Sequence, residues 1–265
     1  MTASPAARHP YLSPEGPRVL AHRGLVTPDA VANGLVDNSF AAVAAAHAAG
    51  AVYVESDCHL TADGTVVLFH DDDLRRVAED PRAIADVRVH ELAELMSDRG
   101  GLITLAQALD AFPDVRFNLD VKATAAAEPV GRLIAPHAER VLVTSFSDDR
   151  RRTALEAARR AGATRRPATS PGSATIARLL AARVLGQRRR VRELLADLDA
   201  LQVPERHGVI PVVTPGFVRD AHAAGVEVHV WTVNESADMH RLLDLGVDGL
   251  VTDRADLALA LVNER

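Results

Sequence analysis

Short β-rich runs alternate with alanine-rich segments along this chain, and the alternation restricts the folds available to it. Repetition of strand and helix is typical of a parallel sheet covered by helices. Several alanine-rich segments end at a glycine (Gly50, Gly162, Gly225 or Gly246), the residue most common just beyond a helix. The β-rich runs are Val19–His22, Val52–Asp57, Phe117–Val121, Val141–Phe146, Thr164–Thr169, Ala200–Val203, Val228–Val233 and Gly249–Thr252.

These eight runs and a length of 265 residues match one barrel of the TIM type, which typically has about 250 residues. We therefore predict an α/β fold, a TIM (β/α)8 barrel formed as a single domain by residues 1–265. The segment from about residue 72 to 103 breaks the rhythm and predicts a small insertion after the second strand, with a helix at His90–Met96. Barrel helices are predicted at Ser39–Ala49, Leu105–Phe112, Ser147–Ala161, Gly216–Ala224 and Ser236–Leu245.

The stretch VESDCHLTADGTVVLFHDDDLRR, residues 54–76, carries the densest group of reactive side chains. Its polar alternation, the turn at 61–64 and the run Thr65–His70 predict a β-hairpin. Alternation places Glu55 and Asp57 on the same face of the first hairpin strand. Paired carboxylates suit a hard cation such as Mg²⁺ or Ca²⁺, although a solvated strand edge would also carry such charges.

Two histidines stand where the β-rich runs end. His22 and Arg23 follow the apolar run at the start of LAHRG, and His70 ends the predicted hairpin. Two imidazoles can serve as the acid and the base that phosphate ester cleavage needs, and a guanidinium offers a planar fork of donors to phosphate oxygens. A lone histidine at a strand end is more often structural, but two beside paired carboxylates favour a site.

The segment VRFNLDVK, residues 115–122, continues the same chemistry. Asn118, Asp120 and Lys122 alternate with apolar residues and therefore share one strand face. Inside a covered sheet these groups need partners, and a metal with a phosphate would satisfy both Asp120 and Lys122. A strand with one solvent-exposed face is the alternative.

Composition restricts the classes of partner. A formal net charge of −6 with interspersed signs argues against general nucleic-acid binding. We find no apolar run long enough for a stable membrane anchor and no apolar signal core in residues 1–16, so we predict a cytoplasmic enzyme. The single cysteine, Cys58, excludes an intramolecular disulfide and is expected to be a buried small residue.

Residues Ala174–Leu198 combine leucines at helical spacing with several arginines. A basic amphipathic helix can contact anionic lipid. The acidic residues Glu193, Asp197 and Asp199 favour instead a barrel helix with a charged outer face.

The motifs together resemble the glycerophosphodiester phosphodiesterase family, in the family's order and over nearly the whole chain. They are AHRG at 21–24, DNSF at 37–40, ESDCHLTADGTVVLFHDDDLRR at 55–76, NLDVK at 118–122, VWTVN at 230–234 and DGLVTD at 248–253. The resemblance implies a TIM barrel that hydrolyses glycerophosphodiesters, small-molecule substrates, with a divalent metal: Mg²⁺, Ca²⁺ or Mn²⁺. It also implies that the insertion caps the barrel mouth.

The resemblance also implies roles for particular residues. His22 and His70 would be the acid–base pair, with Glu55, Asp57 and Asp120 as metal ligands. Contacts to the substrate would come from Arg23, Lys122 and Trp231.

Two positions depart from the family pattern, which usually has Glu where this chain has Asp37 and Asp120. Each change shortens a carboxylate by one methylene and can alter metal affinity or choice. Asp37 is expected beside the metal or in a hydrogen bond to His22. Two alternatives to glycerophosphodiester hydrolysis therefore stay open: a lysophospholipase D-type activity on lysophospholipids, and a catalytically weak barrel that binds phosphodiesters.

Overall fold

The computed structural model describes residues 8–265, and the first seven residues of the segment without a signal core lie outside them. The strands are β1 (Arg18–His22), β2 (Tyr53–Leu60), β3 (Val66–Leu68), β4 (Arg116–Val121), β5 (Val141–Thr144), β6 (Ala168–Thr169), β7 (Ala200–Pro204), β8 (Arg206–His207), β9 (Ile210–Pro211), β10 (Glu227–Trp231) and β11 (Gly249–Thr252).

Eight of these strands form one parallel sheet in the order β6-β5-β4-β2-β1-β11-β10-β7. This order follows the chain around a circle, as a TIM barrel requires. The seam between β6 and β7 has no regular ladder, but Asp199 N donates to Thr169 O at 3.0 Å and Gln202 N donates to Ser170 Oγ at 3.0 Å. The predicted barrel is confirmed and is nearly closed.

Most of the helices cover the outside of the sheet. The helices are α1 (Pro28–Ala32), α2 (Phe40–Ala48), α3 (Arg75–Ala78), α4 (Val89–Met96), α5 (Leu105–Ala111), α6 (Thr124–Ile134), α7 (Asp148–Arg160), α8 (Ser173–Val184), α9 (Arg188–Leu195), α10 (Pro215–His222), α11 (Ser236–Asp244) and α12 (Ala255–Asn263). Local signals fix several ends: the Ser39 hydroxyl accepts from Ala42 N at the start of α2, and Gly50 has φ +92° just beyond its end.

Strand register determines which side chains face the barrel interior. In the parallel ladders, His22 lies opposite Glu55, Glu55 opposite Asn118, and Asp57 opposite Asp120. Alternation along β2 turns Cys58 to the other side, where it is buried against the apolar layer under the helices. The register thus brings the polar residues of three separate motifs to one end of the barrel.

The opposite end of the barrel is closed by a short 3₁₀ helix, Pro10–Leu12. Tyr11 and Leu12 pack against inward-facing residues of the strands, among them Leu20 and Tyr53. The buried Arg18 guanidinium donates to the backbone carbonyls of Leu12 and Pro14. The N-terminal segment is therefore attached to the barrel by apolar packing and by one buried cation.

Residues 72–103 leave the barrel, as the sequence predicts. They contain α3, α4 and two 3₁₀ turns, and the helix predicted at His90–Met96 begins one residue earlier, at Val89. A separate apolar cluster holds the segment on β3, formed by Val67, Phe69, Leu74, Ile84, Val87, Leu92 and Met96.

Several predicted boundaries were wrong. The run Thr164–Thr169 forms only the two-residue strand β6, because the seam next to it has no ladder to extend it. The segment Ala174–Leu198 is two helices rather than one, interrupted at Gly186, where φ is +66°. Within residues 8–265 no helix is both long and apolar enough to cross a membrane.

Candidate active site

A cavity of about 590 Å³ opens at the carboxyl ends of the parallel strands. This size is within the usual range for small-molecule sites, and this end of a TIM barrel is where active sites form. The cavity is lined by eight residues that the sequence singled out: His22, Arg23, Glu55, Asp57, His70, Asp120, Lys122 and Trp231. The ninth, Asp37, lies behind this lining and contacts Arg23.

His22 stands at the end of β1 and is held from behind. Its Nδ1 lies 2.6 Å from Asp253 Oδ1, and Asn234 Nδ2 donates to the other oxygen of Asp253 at 2.8 Å. The hydrogen bond from His22 lowers the pKa of Asp253. Because a carboxylate only accepts, His22 donates from Nδ1 and leaves Nε2 free, 3.9 Å from Glu55 Oε2.

His70 is held in the same way by a different carboxylate. Its Nδ1 lies 2.8 Å from Asp71 Oδ1, and Arg76 Nε donates to Asp71 Oδ2 at 2.5 Å. Hydrogen bonds from His70 and Arg76 outweigh burial and lower the pKa of Asp71. The His70 carbonyl lies 3.3 Å from His59 Nε2. Both histidines therefore line the cavity with one ring nitrogen fixed and one available for proton transfer.

Three buried carboxylates line the same cavity as the histidines. Burial, with the charges of Asp57 and Asp120 adding to it, raises the pKa of Glu55 well above its usual range. Burial also raises the pKa of Asp120 against the opposing charge of Lys122. Burial would raise the pKa of Asp57 too, but Lys122 and Arg23 outweigh it, so this pKa is lowered. Burial is thus the main cause of the raised pKa at Glu55 and Asp120, whereas two cations offset it at Asp57.

Lys122 and Arg23 supply the positive charge that is present. Lys122 Nζ lies 2.9 Å from Asp57 Oδ1 and 2.7 Å from Asp120 Oδ2. Arg23 Nε lies 3.2 Å from Asp57 Oδ2. Burial lowers the pKa of Lys122, but the charges of Asp57 and Asp120 outweigh it and raise this pKa overall. Both cations are therefore fixed beside the carboxylates and face the cavity.

The turn after β1 fixes Arg23 in an uncommon conformation. Arg23 has φ +59° and Gly24 has φ +93°, and Arg23 N donates to Glu55 O at 2.8 Å. A Cβ at Gly24 would lie 2.5 Å from the backbone carbon of Ala42, so only glycine fits here. Asn38, also at positive φ, donates from Nδ2 to Asp57 Oδ2 at 2.9 Å.

Asp37 occupies a supporting position between two cations. It accepts from Arg23 Nη1 at 3.0 Å and from Arg76 Nη2 at 2.9 Å. The hydrogen bond to His22 that the sequence offered for Asp37 is made by Asp253 instead. Asp37 thus links Arg23 to Arg76, and through Arg76 to Asp71 behind His70.

The donor set fits a hard divalent cation. Glu55 Oε2, Asn118 Oδ1 and Asp120 Oδ1 are buried without a hydrogen-bond partner among the described residues. Such oxygens are costly when unsatisfied and are the ligand type that Mg²⁺ and Ca²⁺ prefer. Within residues 8–265 no group of three or more His, Cys, Asp or Glu side chains is already arranged to hold a metal ion. The Lys122 ammonium lies between Asp57 and Asp120.

One wall of the cavity is apolar. Phe146 and Trp231 face each other edge to face, with ring centroids 6.1 Å apart. Ile176 and Leu180 of α8 and Ile210 of β9 also belong to this wall. The wall meets the charged residues at Phe146, whose ring centroid lies 5.4 Å from Lys122 Nζ. The cavity is therefore divided into a charged half and an apolar half.

Three of the residues in the site lacked an assigned role in the sequence. Asn38 and Asn118 belong to recognised motifs, and their amides could have been read as donors or ligands. Asp253 ends the motif DGLVTD, but its partner His22 lies 231 residues away in the chain. Only the closure of the barrel, which pairs β1 with β11, brings these two residues together.

Comparison with known proteins agrees with this geometry. The sequence model of the glycerophosphoryl diester phosphodiesterase family matches residues 22–257. A Mycobacterium tuberculosis protein named "Probable glycerophosphodiester phosphodiesterase 2" is 40% identical over 258 residues, covering 93% of this chain and 91% of that protein. A Bacillus subtilis glycerophosphodiester phosphodiesterase is 25% identical, covering 96% of this chain and 89% of its own.

Solved structures share the fold. A glycerophosphodiester phosphodiesterase from Parabacteroides distasonis superposes with a TM-score of 0.69 at 24% identity, covering 95% of this chain and 98% of the other. An Oleispira antarctica phosphodiesterase, solved with the product sn-glycerol-3-phosphate, superposes with a TM-score of 0.68 at 21% identity, covering 94% and 97% of the two chains. From the family match and the close relative, this chain belongs to the glycerophosphoryl diester phosphodiesterase family.

Proposed function

We propose that this protein hydrolyses glycerophosphodiesters to glycerol 3-phosphate and an alcohol, by two-histidine acid–base catalysis with a divalent metal. The observation that carries the proposal is the placement of His22 and His70 on one cavity. Each is oriented by its own carboxylate, and the buried carboxylates and two cations lie beside them. The family match supports the substrate class. The Oleispira antarctica phosphodiesterase was solved with sn-glycerol-3-phosphate, the product proposed for this protein.

In this mechanism Arg23 and Lys122 face the phosphate and neutralise the charge that develops on its oxygens. One histidine takes a proton from the nucleophile as its oxygen bonds to phosphorus. The other gives a proton to the alcohol oxygen as the bond from phosphorus to that oxygen breaks. The nucleophile is water, or a neighbouring hydroxyl of the substrate, which would form a cyclic phosphate that water then opens.

Glu55, Asp57 and Asp120 are the residues that would hold the metal. Lewis-acid polarisation of a phosphate oxygen is the chemistry that such a cation supplies when bound. The oxygens of Glu55 and Asp120 that have no hydrogen-bond partner among the described residues support this assignment. Burial raises the pKa of both carboxyls, and a bound cation would offset that cost by favouring their ionised form.

The test is release of glycerol 3-phosphate from glycerophosphocholine and glycerophosphoethanolamine by the purified protein. EDTA, Mg²⁺, Ca²⁺ and Mn²⁺ are added in parallel reactions. We expect metal-dependent release that EDTA abolishes. Release that persists unchanged in EDTA after dialysis would contradict the metal requirement, and no release with any metal would contradict the substrate class.

Metal binding can be measured apart from turnover. Calorimetric titration of the wild-type protein with Mg²⁺, Ca²⁺ or Mn²⁺ should show one site, and Asp120→Asn should weaken it by about tenfold or more because one charged ligand is lost. Asp244→Asn, which changes an exposed carboxylate on α11, serves as the control. Equal affinity in Asp120→Asn and wild type would remove Asp120 from the ligand set.

A second candidate activity is hydrolysis of lysophospholipids, and the apolar half of the cavity favours it. Phe146, Ile176, Leu180 and Ile210 could contact a hydrocarbon chain that glycerophosphocholine lacks. A higher kcat/KM for lysophosphatidylcholine than for glycerophosphocholine would select this activity. Inactivity on both substrates, together with measurable binding, would favour the catalytically weak phosphodiester-binding barrel.

A further inference from the structure

Large apolar side chains are exposed at the rim of the cavity. Among the described residues, eight large hydrophobic side chains are exposed. Phe146 and Ile210 line the cavity, Val209 precedes Ile210, and Val184 and Leu185 stand at the end of α8, the helix that also lines the cavity. Val184 and Val209 are both 87% exposed. A concentration of exposed apolar groups at one place marks an interaction surface, whereas isolated ones do not.

The geometry of α8 connects these residues to the cavity. Ile176 and Leu180 line the cavity, and Val184 follows at the same four-residue spacing on the same helix face. Leu185 comes directly after it and is 68% exposed. The apolar wall therefore continues outward along α8 to its exposed end.

The hairpin of β8 and β9 forms the other part of this surface. Its tip carries Val209 and Ile210, and Ile210 also lines the cavity. Arg183 connects the end of α8 to α10: its Nε lies 2.6 Å from Asp220 Oδ2, and its guanidinium lies 5.2 Å from the Phe217 ring centroid. Helix α10 begins four residues after the hairpin, so the contacts of Arg183 with α10 hold the end of α8 near the hairpin.

Several arginines follow the exposed end of α8 in the chain. Helix α9 begins two residues after Gly186 and presents Arg188, Arg189, Arg190 and Arg192 to solvent, while Val191 and Leu195 are buried and hold the helix on the barrel. Glu193 pairs with Arg189 and Arg190. Within residues 8–265, Arg188 and Arg192 have no carboxylate within the 4.0 Å of an ion pair. The basic residues stand out in a chain of net charge −6.

We propose that this surface docks reversibly on an anionic lipid bilayer and places the mouth of the cavity against the lipid–water interface. We define the docking surface as Val184, Leu185, Val209 and Ile210 with the arginines of α9. Exposed aliphatic side chains enter the headgroup region, and neighbouring arginines pair with anionic headgroups, which together give peripheral binding without an anchor. This surface goes beyond the proposed hydrolysis and does not depend on it.

Charge complementarity distinguishes a bilayer from a second copy of this chain as the occupant. A bilayer rich in anionic lipid supplies partners for Arg188 and Arg192, which pair with no carboxylate among residues 8–265, whereas another copy would bring its own arginines to the same surface.

The test is co-sedimentation of the wild-type protein with vesicles of phosphatidylcholine alone, or of phosphatidylcholine and phosphatidylglycerol in equal amounts. We expect binding to the mixed vesicles, weaker binding to the neutral ones, and release at high salt. Val184→Ser with Leu185→Ser should weaken binding by roughly tenfold or more. Arg188→Gln with Arg192→Gln should weaken it by roughly tenfold to thirtyfold.

Matched controls keep the result specific. Val52→Ser changes an exposed valine beside the opposite end of the barrel and should leave vesicle binding unchanged. The Val184 and Leu185 variant should also keep its rate on water-soluble glycerophosphocholine, so that loss of docking and loss of hydrolysis are distinguished. Hydrolysis without vesicle binding would overturn only the docking proposal.

Other outcomes would also overturn it. Equal binding to neutral and mixed vesicles, unaffected by the arginine substitutions, would exclude an anionic surface as the partner. A dimer in sedimentation velocity that dissociates on Val184→Ser with Leu185→Ser, with no vesicle binding, would assign the surface to a second copy of the chain.

Discussion

Replacing either His22 or His70 with alanine is expected to lower kcat for glycerophosphodiester hydrolysis by about a hundredfold to ten-thousandfold. Each imidazole lines the same cavity and has one ring nitrogen fixed by a carboxylate, Asp253 or Asp71. Removing either one takes away an acid or a base that the other cannot replace. Steady-state kinetics with glycerophosphocholine at saturating metal measures the effect.

Folding must be shown to survive these substitutions. Thermal unfolding and circular dichroism of both variants should stay close to wild type, because each histidine is at the cavity and not in the apolar core. His240→Ala, an exposed histidine on α11, is the matched control and should keep full activity. A near-wild-type rate in His22→Ala or His70→Ala would contradict the two-histidine mechanism.

The second large effect is expected at the closed end of the barrel. Arg18→Met should lower the free energy of unfolding by about 3 kcal/mol, because it leaves the buried Glu227 carboxylate with only the part-exposed Arg8 as its cation. Arg18 Nε and Nη2 each donate to Glu227 at 2.7 Å, and both side chains are 3% exposed. Arg18 Nη1 also donates to Tyr53 Oη at 3.0 Å, so Tyr53 loses one of its hydrogen bonds as well.

Urea unfolding of wild type, Arg18→Met and the double variant Arg18→Met, Glu227→Leu measures this effect. The double variant should recover part of the loss, because an apolar pair in the same volume carries no unpaired charge. Arg152→Met, which breaks the exposed pair with Asp149, should cost about 1 kcal/mol or less. A loss of about 1 kcal/mol or less in the unfolding free energy of Arg18→Met would show that the buried network does not stabilise the barrel.

The sequence predicted the barrel and the group of site residues because both depend on local patterns. Two-residue alternation places Glu55 with Asp57, and Asp120 with Lys122, on single strand faces. In a parallel barrel all such faces meet at the carboxyl ends of the strands. These two patterns alone predict that three motifs meet at one end of the barrel, whereas the individual roles and Trp231 follow only from the family resemblance.

Features that depend on pairing across the whole chain could not be predicted in this way. The hydrogen bond between His22 and Asp253 needs the register of β1 with β11. The position of Lys122 between Asp57 and Asp120 depends on side-chain rotamers that no sequence pattern specifies. The interruption at Gly186, which exposes Val184 and Leu185 beside the arginines, was hidden in one continuous helical pattern.

The central claim is that this cavity cleaves a phosphodiester with two histidines. The most direct measurement is a phosphorus NMR time course on glycerophosphocholine, with wild type and His70→Ala followed in parallel at the same metal concentration. We predict that the diester signal is replaced by that of a phosphate monoester in the wild-type sample alone. A diester signal that persists in wild type with Mg²⁺, Ca²⁺ and Mn²⁺, or equal conversion in both samples, would contradict the claim.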